Sequence, residues 1–112
     1  MPLHTLDELM RKAKKISHEQ TRRESEDYLE MVMYQHSLQP LEQLLQSYFG
    51  LALKAAGQDV EEQAEAIANR YGGISKEQAL YHAQRDSMSQ TAMVWPWQDG
   101  KRMTVKIIQE SE

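Results

Sequence analysis

The sequence predicts a mainly α domain with a minor β component (α+β): about five helices forming a small bundle, with a C-terminal β-hairpin. Three observations point there. Residues 40–57, PLEQLLQSYFGLALKAAG, carry Leu41, Leu44, Leu45, Tyr48, Ala52 and Ala55 at steps of three or four, one stripe of a 3.6-residue helix. Three stretches carry helix-capping chemistry, at Thr5-Leu-Asp-Glu8, Asp59-Val-Glu-Glu62 and Ser75-Lys-Glu-Gln78. From Ala92 the pattern changes to AMVWPWQ-DG-KRMTVKII, two apolar runs around an Asp-Gly dipeptide.

Taken in order, the first helix opens on Thr5, whose hydroxyl accepts a free backbone N–H while Glu8 reaches back. Leu6, Leu9, Met10, Ala13 and Ile16 mark its inner face, and Arg11, Lys12, Lys14 and Lys15 its outer one. A basic amphipathic helix suits an anionic surface or a partner's groove. This stripe is short and lacks Trp and Phe, so packing onto the domain is expected. Residues 17–27 hold no apolar side chain and read as an exposed continuation of the helix or a connection, with Ser17, Thr21 and Ser25 as caps. Residues 28–34 are nearly all apolar. Tyr and Val favour a strand there, Glu and Met a helix, and the expectation is a helix ending near Gln39, because Pro40 disfavours the α conformation before it.

The central helix spans 40–57, with Pro40 in its first position and Gly57 as the left-handed residue past its end. Phe49, Leu51 and Leu53 add apolar surface off the main stripe. A helix over 60–71 follows, with Val60, Ala64, Ile67, Ala68 and Tyr71 inward, ended by Gly72-Gly73. Ile74 and Ala79 form a hydrophobic staple around the next helix, which runs to about Ser87 and buries Ala79, Leu80 and Ala83. In the hairpin, Asp99-Gly100 suits a two-residue type I′ turn. Setting Gln98 opposite Lys101 pairs Trp97 with Arg102, Pro96 with Met103, Trp95 with Thr104, and Val94 with Val105. One face is then Val94, Met103, Val105 and Ile107, fit for a core; the other carries Met93, Trp95, Trp97, Arg102, Thr104 and Lys106. Pro96 cannot donate to a ladder, which predicts an edge strand or a bulge there. The polar end, residues 109–112, is expected to fray.

At 112 residues the chain reads as a single domain: N-terminal helices over 1–39, three central helices over 40–87, and the hairpin over 92–108. A chain of this size buries roughly 65% of its unfolded surface, enough for an unaided core. No apolar run approaches the ~18 residues of a membrane span. The N-terminus lacks a secretory apolar core, so the expected location is cytoplasmic. Absence of cysteine excludes disulfides, thiolate nucleophiles and Cys-ligated zinc. The net charge of −4 is unevenly spread: +3 over residues 1–23, −8 over 24–65 and +1 over 66–112. The acidic middle repels polyanions, which the two ends tolerate.

Trp95 and Trp97 on the non-core side of the hairpin, beside Arg102 and Lys106, are the first candidate site. They serve either as a cover for the helices or as an anchor for a partner, Trp and Arg being favoured at interface hot spots. The second candidate is residues 60–108, whose helix–turn–helix–hairpin order resembles winged helix-turn-helix DNA-binding domains. Ala68 permits a close helix crossing, Gly72 takes the left-handed turn, and Ile74-Ser75 restarts the chain. Gly72 and Gly73 stand where the common pattern has one glycine. The resemblance implies that Lys76, Gln78, Tyr81, His82 and Arg85 face the DNA groove, while Lys101 and Arg102 meet phosphates.

Catalysis finds little support. His4, His18, His36 and His82 are scattered, and there is no phosphate loop or nucleophile elbow. The carboxylates Glu61, Glu62 and Glu65, like Glu26, Asp27 and Glu30, read as solvated acidic faces rather than Mg²⁺ ligands. The expectation is therefore a small non-enzymatic protein-interaction or regulatory module, without cofactor or metal. Its partner is a protein, a second copy included, contacted through the hairpin or the basic first helix. The alternative is a DNA-binding regulator of winged-helix type.

Overall fold

The structure, a computed structural model, describes residues 5–111. It corrects the expected helical bundle. Three α-helices accompany a five-stranded antiparallel sheet: α1 (Leu6–Lys15), β1 (His18–Glu24), β2 (Tyr28–Tyr34), α2 (Leu38–Phe49), α3 (Glu62–Ala68), β3 (Ala79–Arg85), β4 (Met88–Pro96) and β5 (Arg102–Ser111). The spatial order is β1-β2-β5-β4-β3. The N-terminal hairpin β1–β2 and the C-terminal meander β3–β4–β5 meet where β2 pairs with β5.

Residues 28–34 are a strand because their period is two, not 3.6. Leu29, Met31 and Met33 point to one side, and β5 sets Ile107, Val105 and Met103 directly opposite them. Those six side chains form a continuous apolar floor, on which α1 lays Leu6, Leu9, Met10 and Ala13 and α2 lays Leu41, Leu45 and Tyr48. Burying this two-sided layer outweighs the modest helix propensity of Glu and Met. One chain of polar groups entering the floor is paired throughout, as burial demands. The Tyr48 hydroxyl donates to Gln90 at 2.6 Å, Gln90 to Gln109 at 2.7 Å, and Gln109 to Asp27 at 3.0 Å.

The helix α1 forms as read: Thr5 Oγ1 accepts the Glu8 N–H at 3.1 Å, and Lys12, Lys14 and Lys15 sit in the last turn, where the helix dipole favours cations. The second helix is shorter than its apolar stripe. It starts at Leu38, so Pro40 falls within the first turn, where a missing N–H costs nothing. It stops at Gly50, whose φ of 82° ends the helix seven residues before Gly57. Leu51, beyond the stop, is 87% exposed.

The segment 17–27, read as helix or connection, contains β1. Six of its seven residues are exposed, so no inward face marks it in the sequence. Its pairing with β2 is interrupted twice, between His18 and Gln20 and between Thr21 and Arg23, and its charged side chains blunt the sheet edge.

The helix expected over 75–87 is not formed. Gln78 does reach back to the Ser75 N–H at 2.9 Å, but its own N–H bonds the Ser75 carbonyl at 3.1 Å, which closes a turn. The chain then extends as β3, with Tyr81 toward α2 and Leu80 toward α3. Lys54 pairs with the outer edge of β3, exchanging backbone hydrogen bonds with Leu80 at 3.2 and 2.9 Å. Its Nζ is buried and donates to the carbonyls of Lys76 and of Gln78, the latter at 2.6 Å; burial pushes its pKa down.

The hairpin register is the expected one, Val94 with Val105, Trp95 with Thr104 and Pro96 with Met103. Its setting and turn are not. The β4 strand is interior, and Pro96 is tolerated as its last residue, beyond Val94, the final position paired with β3. At the tip only Gly100 has positive φ, and the Asp99 carboxylate accepts the N–H groups of Lys101 and Arg102 at 2.8 and 3.0 Å. The two-residue turn with both φ values positive lies instead at Asp86-Ser87, 52° and 63°. β5 continues to Ser111, so the expected fraying does not extend over its described part; Glu112 lies outside the described residues.

Among the described residues no helix is long and apolar enough to cross a membrane. Truncating a floor-facing side chain tests the layer arrangement. Leu45, fully buried, is expected to cost about 2–5 kcal/mol as Leu45→Ala in urea unfolding. The exposed Leu51→Ala should stay within about 0.5 kcal/mol of the parent.

Candidate functional site

The sheet has a second face, opposite α1 and α2, and only part of it is roofed by a helix. On the β3–β4 side, Ala64 and Ala68 of α3 pack on Leu80 and Met93, flanked by Ile67, Tyr71, Ile74 and Trp95. Toward β1, β2 and β5 no helix among the described residues joins this cluster. Here the structure brings together Trp95, Trp97, Arg102 and Lys106, the four hairpin residues singled out from the sequence.

Trp97 lies at the centre. Its indole N–H donates to Thr104 Oγ1 at 2.8 Å, which turns the ring across the strands. Val32, paired with Thr104 from β2, is fully buried there, so the flat side chains above serve as its cover. The guanidinium groups of Arg22 and Arg102 each sit 5.8 Å from the Trp97 ring centre. Arg102 is fixed further by Glu19 at 2.9 Å and Asp99 at 2.8 Å, hydrogen bonds that raise its pKa. Trp95 is half-buried against the small α3 cluster, and Lys106 Nζ lies 4.3 Å over its ring. A cation–π contact of this kind contributes about 0.5–1 kcal/mol at a partly exposed site, enough to hold a side chain. The Trp95 Nε1 is buried without a hydrogen-bond partner among the described residues. Beside it lies an open depression of about 440 Å³ edged by Gly72, Gly73, Ile74, Ser75 and Gln78.

Along β2 the face continues with Tyr28 and Glu30. The Tyr28 hydroxyl donates to Glu30 at 2.6 Å, and burial together with that carboxylate pushes its pKa up to about 12. Arg22 approaches Glu30 at 3.8 Å, and Arg23 lies 5.5 Å over the Tyr28 ring. Sequence reasoning missed Glu19, Arg22, Arg23, Tyr28 and Glu30 as site residues because β1 and β2 were not read as strands. The alternation of Leu29, Met31 and Met33 held the available signal, since it puts Tyr28 and Glu30 on the other face.

The winged-helix residues are not gathered into one surface. Lys76 and Gln78 lie in the turn before β3. Tyr81 is buried near Phe49, its ring centre 6.0 Å away. His82 lies beside Thr91, Nδ1 to Oγ1 3.1 Å, on the side of the sheet that faces α3. Arg85 stacks 4.3 Å over the Tyr48 ring and donates to its carbonyl at 2.7 Å. A reading helix would have to occupy residues that form β3. On α1, Arg11 pairs with Asp7 at 2.9 Å and Lys14 with Glu24, so part of that helix's charge is already matched. Among the described residues no three His, Asp or Glu side chains converge as a metal ion would need.

Compared with protein-family models, curated proteins and solved structures, the chain shows no significant match in any of the three.

Asp99 organises the tip that carries Trp97 and Arg102, and the backbone N–H groups of Lys101 and Arg102 hold its carboxyl below the usual range. A depressed folded-state value makes its contribution fully present above the unfolded carboxyl value of about 3.9. That contribution is lost as pH falls through the folded one. Asp99→Asn should therefore lower Tm at neutral pH and flatten the fall of Tm between neutral and strongly acid solution. An unchanged acid slope would show that the carboxylate is not bound in the loop.

Proposed function

We propose that this protein is a small non-enzymatic interaction module that docks a protein partner on the helix-free part of its sheet, with Trp97 at the centre of the contact. The observation that carries this is the setting of Trp97: a half-buried indole, oriented by Thr104 and flanked by Arg22 and Arg102, on a face that no helix of the described chain covers. Tryptophan and arginine dominate binding hot spots because they combine large apolar area with directional donors. Here both are pre-positioned. Arg102 is tied to two carboxylates and Trp97 to a hydroxyl, so less side-chain entropy is lost when a partner arrives. The basic helix α1 is the weaker surface, since its apolar stripe is spent on the floor and two of its cations are paired.

A photo-crosslinking amino acid placed at position 97, compared with one at the exposed Gln63, tests the docking face in cells that make the protein. A discrete heavier adduct is expected from position 97 and not from position 63. No adduct at 97, or the same adducts from both, would contradict the proposal. A companion variant, Trp97→Phe, should keep Tm within a few degrees while weakening partner capture about tenfold, the loss of one hot spot.

A further inference from the structure

Resting on the docking face proposed above, we infer that the partner segment it takes is acidic, a peptide stretch presenting carboxylates beside apolar side chains. Three aromatic rings of this face carry cations: Arg23 on Tyr28 at 5.5 Å, Arg22 and Arg102 on Trp97 at 5.8 Å, and Lys106 on Trp95 at 4.3 Å. The aromatic side is therefore already partly dehydrated. A stacked guanidinium keeps its N–H donors in its own plane, where they meet a carboxylate edge-on in paired hydrogen bonds. These four cations face three carboxylates, Glu19, Glu30 and Asp99. The patch is thus positive in a chain whose net charge is −4 and whose residues 24–65 alone carry −8. An acidic segment is drawn to this face and repelled from much of the remaining surface, which fixes where it lands.

The same geometry disfavours a nucleic acid. Bases stack on bare rings, and here cations occupy those positions on Tyr28, Trp95 and Trp97, while the Tyr34 ring is stacked on His36. A phosphate chain, charged at every nucleotide, would also have to run past Glu19, Glu30 and Asp99. A short peptide places its few carboxylates selectively. Arg22 is the leading contact. Its side chain is 44% exposed and its ion pair with Glu30 is long at 3.8 Å, whereas Arg102 already spends its Nε and Nη1 on Glu19 and Asp99.

The test uses a fluorescein-labelled octapeptide of alternating Glu and Leu, its Lys-Leu counterpart, and a labelled thymidine decanucleotide, each titrated with the full chain at low and high salt. Saturable binding of the Glu-Leu peptide is expected, with a change in tryptophan emission, weakening as salt rises. Arg22→Gln and Lys106→Gln should each weaken it about tenfold, the loss of one charge-assisted contact, while Lys12→Gln on α1 leaves it unchanged. No saturable binding of the acidic peptide, equal binding of the basic one, or an unchanged affinity in Arg22→Gln would overturn the inference. Tighter binding of the oligonucleotide would overturn it too, by assigning the face to nucleic acid. Failure here with a specific crosslink at position 97 would leave the docking face standing and remove only its preference for acid.

Discussion

Pairing of β2 with β5 is the constraint on which the remaining architecture depends. The two strands come from opposite ends of the chain and run in unbroken register from Tyr28 with Ile108 to Tyr34 with Arg102. Because side chains alternate, that register assigns every residue of both strands to a face. Leu29, Met31 and Met33 meet Ile107, Val105 and Met103 on the floor beneath α1 and α2. Glu30, Val32 and Tyr34 meet Lys106, Thr104 and Arg102 on the other side. A slip of one residue in one strand would set charged and apolar groups against each other along the whole pair. Closing so long a loop costs entropy before any contact repays it, and the continuous apolar floor offsets that cost.

The second face follows from the first. Once α1 and α2 are committed to the floor, α3 is the helix left among the described residues to cover the opposite side, and it is a seven-residue helix that meets the sheet through two alanines and a few neighbours. The β3–β4 half is roofed in this way, and the β1–β2–β5 part is finished by its own side chains. Tryptophans, tyrosines and stacked cations can do this because each pairs a broad apolar plane with a polar edge that tolerates water. The surface so made is ordered before any partner meets it, and its charge balance opposes that of the chain as a whole.

Much of this was legible in the sequence wherever one face is buried and the other is not. Thr5 with Leu6, Leu9, Met10 and Ala13 specified α1, and Ala64 with Ala68 marked the inner face of α3, although it starts at Glu62 rather than Val60, has Glu61 and not Asp59 at its N-cap, and tightens to a 3-10 turn over Asn69–Tyr71. The alternation from Val94 to Ile107 specified both the hairpin register and the face on which Trp95, Trp97, Arg102 and Lys106 sit. What failed, failed for physical reasons. In β1, exposed along nearly its whole length, there is no burial period to find. The β2 strand is buried so thoroughly that apolar residues stand on both faces and blur its alternation. In β3 a sound capping sequence is used to close a turn, and pairing with β4 overrides the local preference for helix. With β1 and β2 unread, half of the docking face, Arg22 and Glu30 above all, stayed out of reach of sequence reasoning.

The account stands most directly on residues 28–34 being a strand seated beside β5. Nuclear Overhauser contacts on an isotopically labelled sample measure that. Cross-strand contacts from Met31 to Val105 and from Val32 to Thr104 are the predicted result, with Trp95 to Thr104 extending the same sheet. Sequential helical contacts through Tyr28, Met31 and Tyr34, with none reaching residues 103–108, would contradict it.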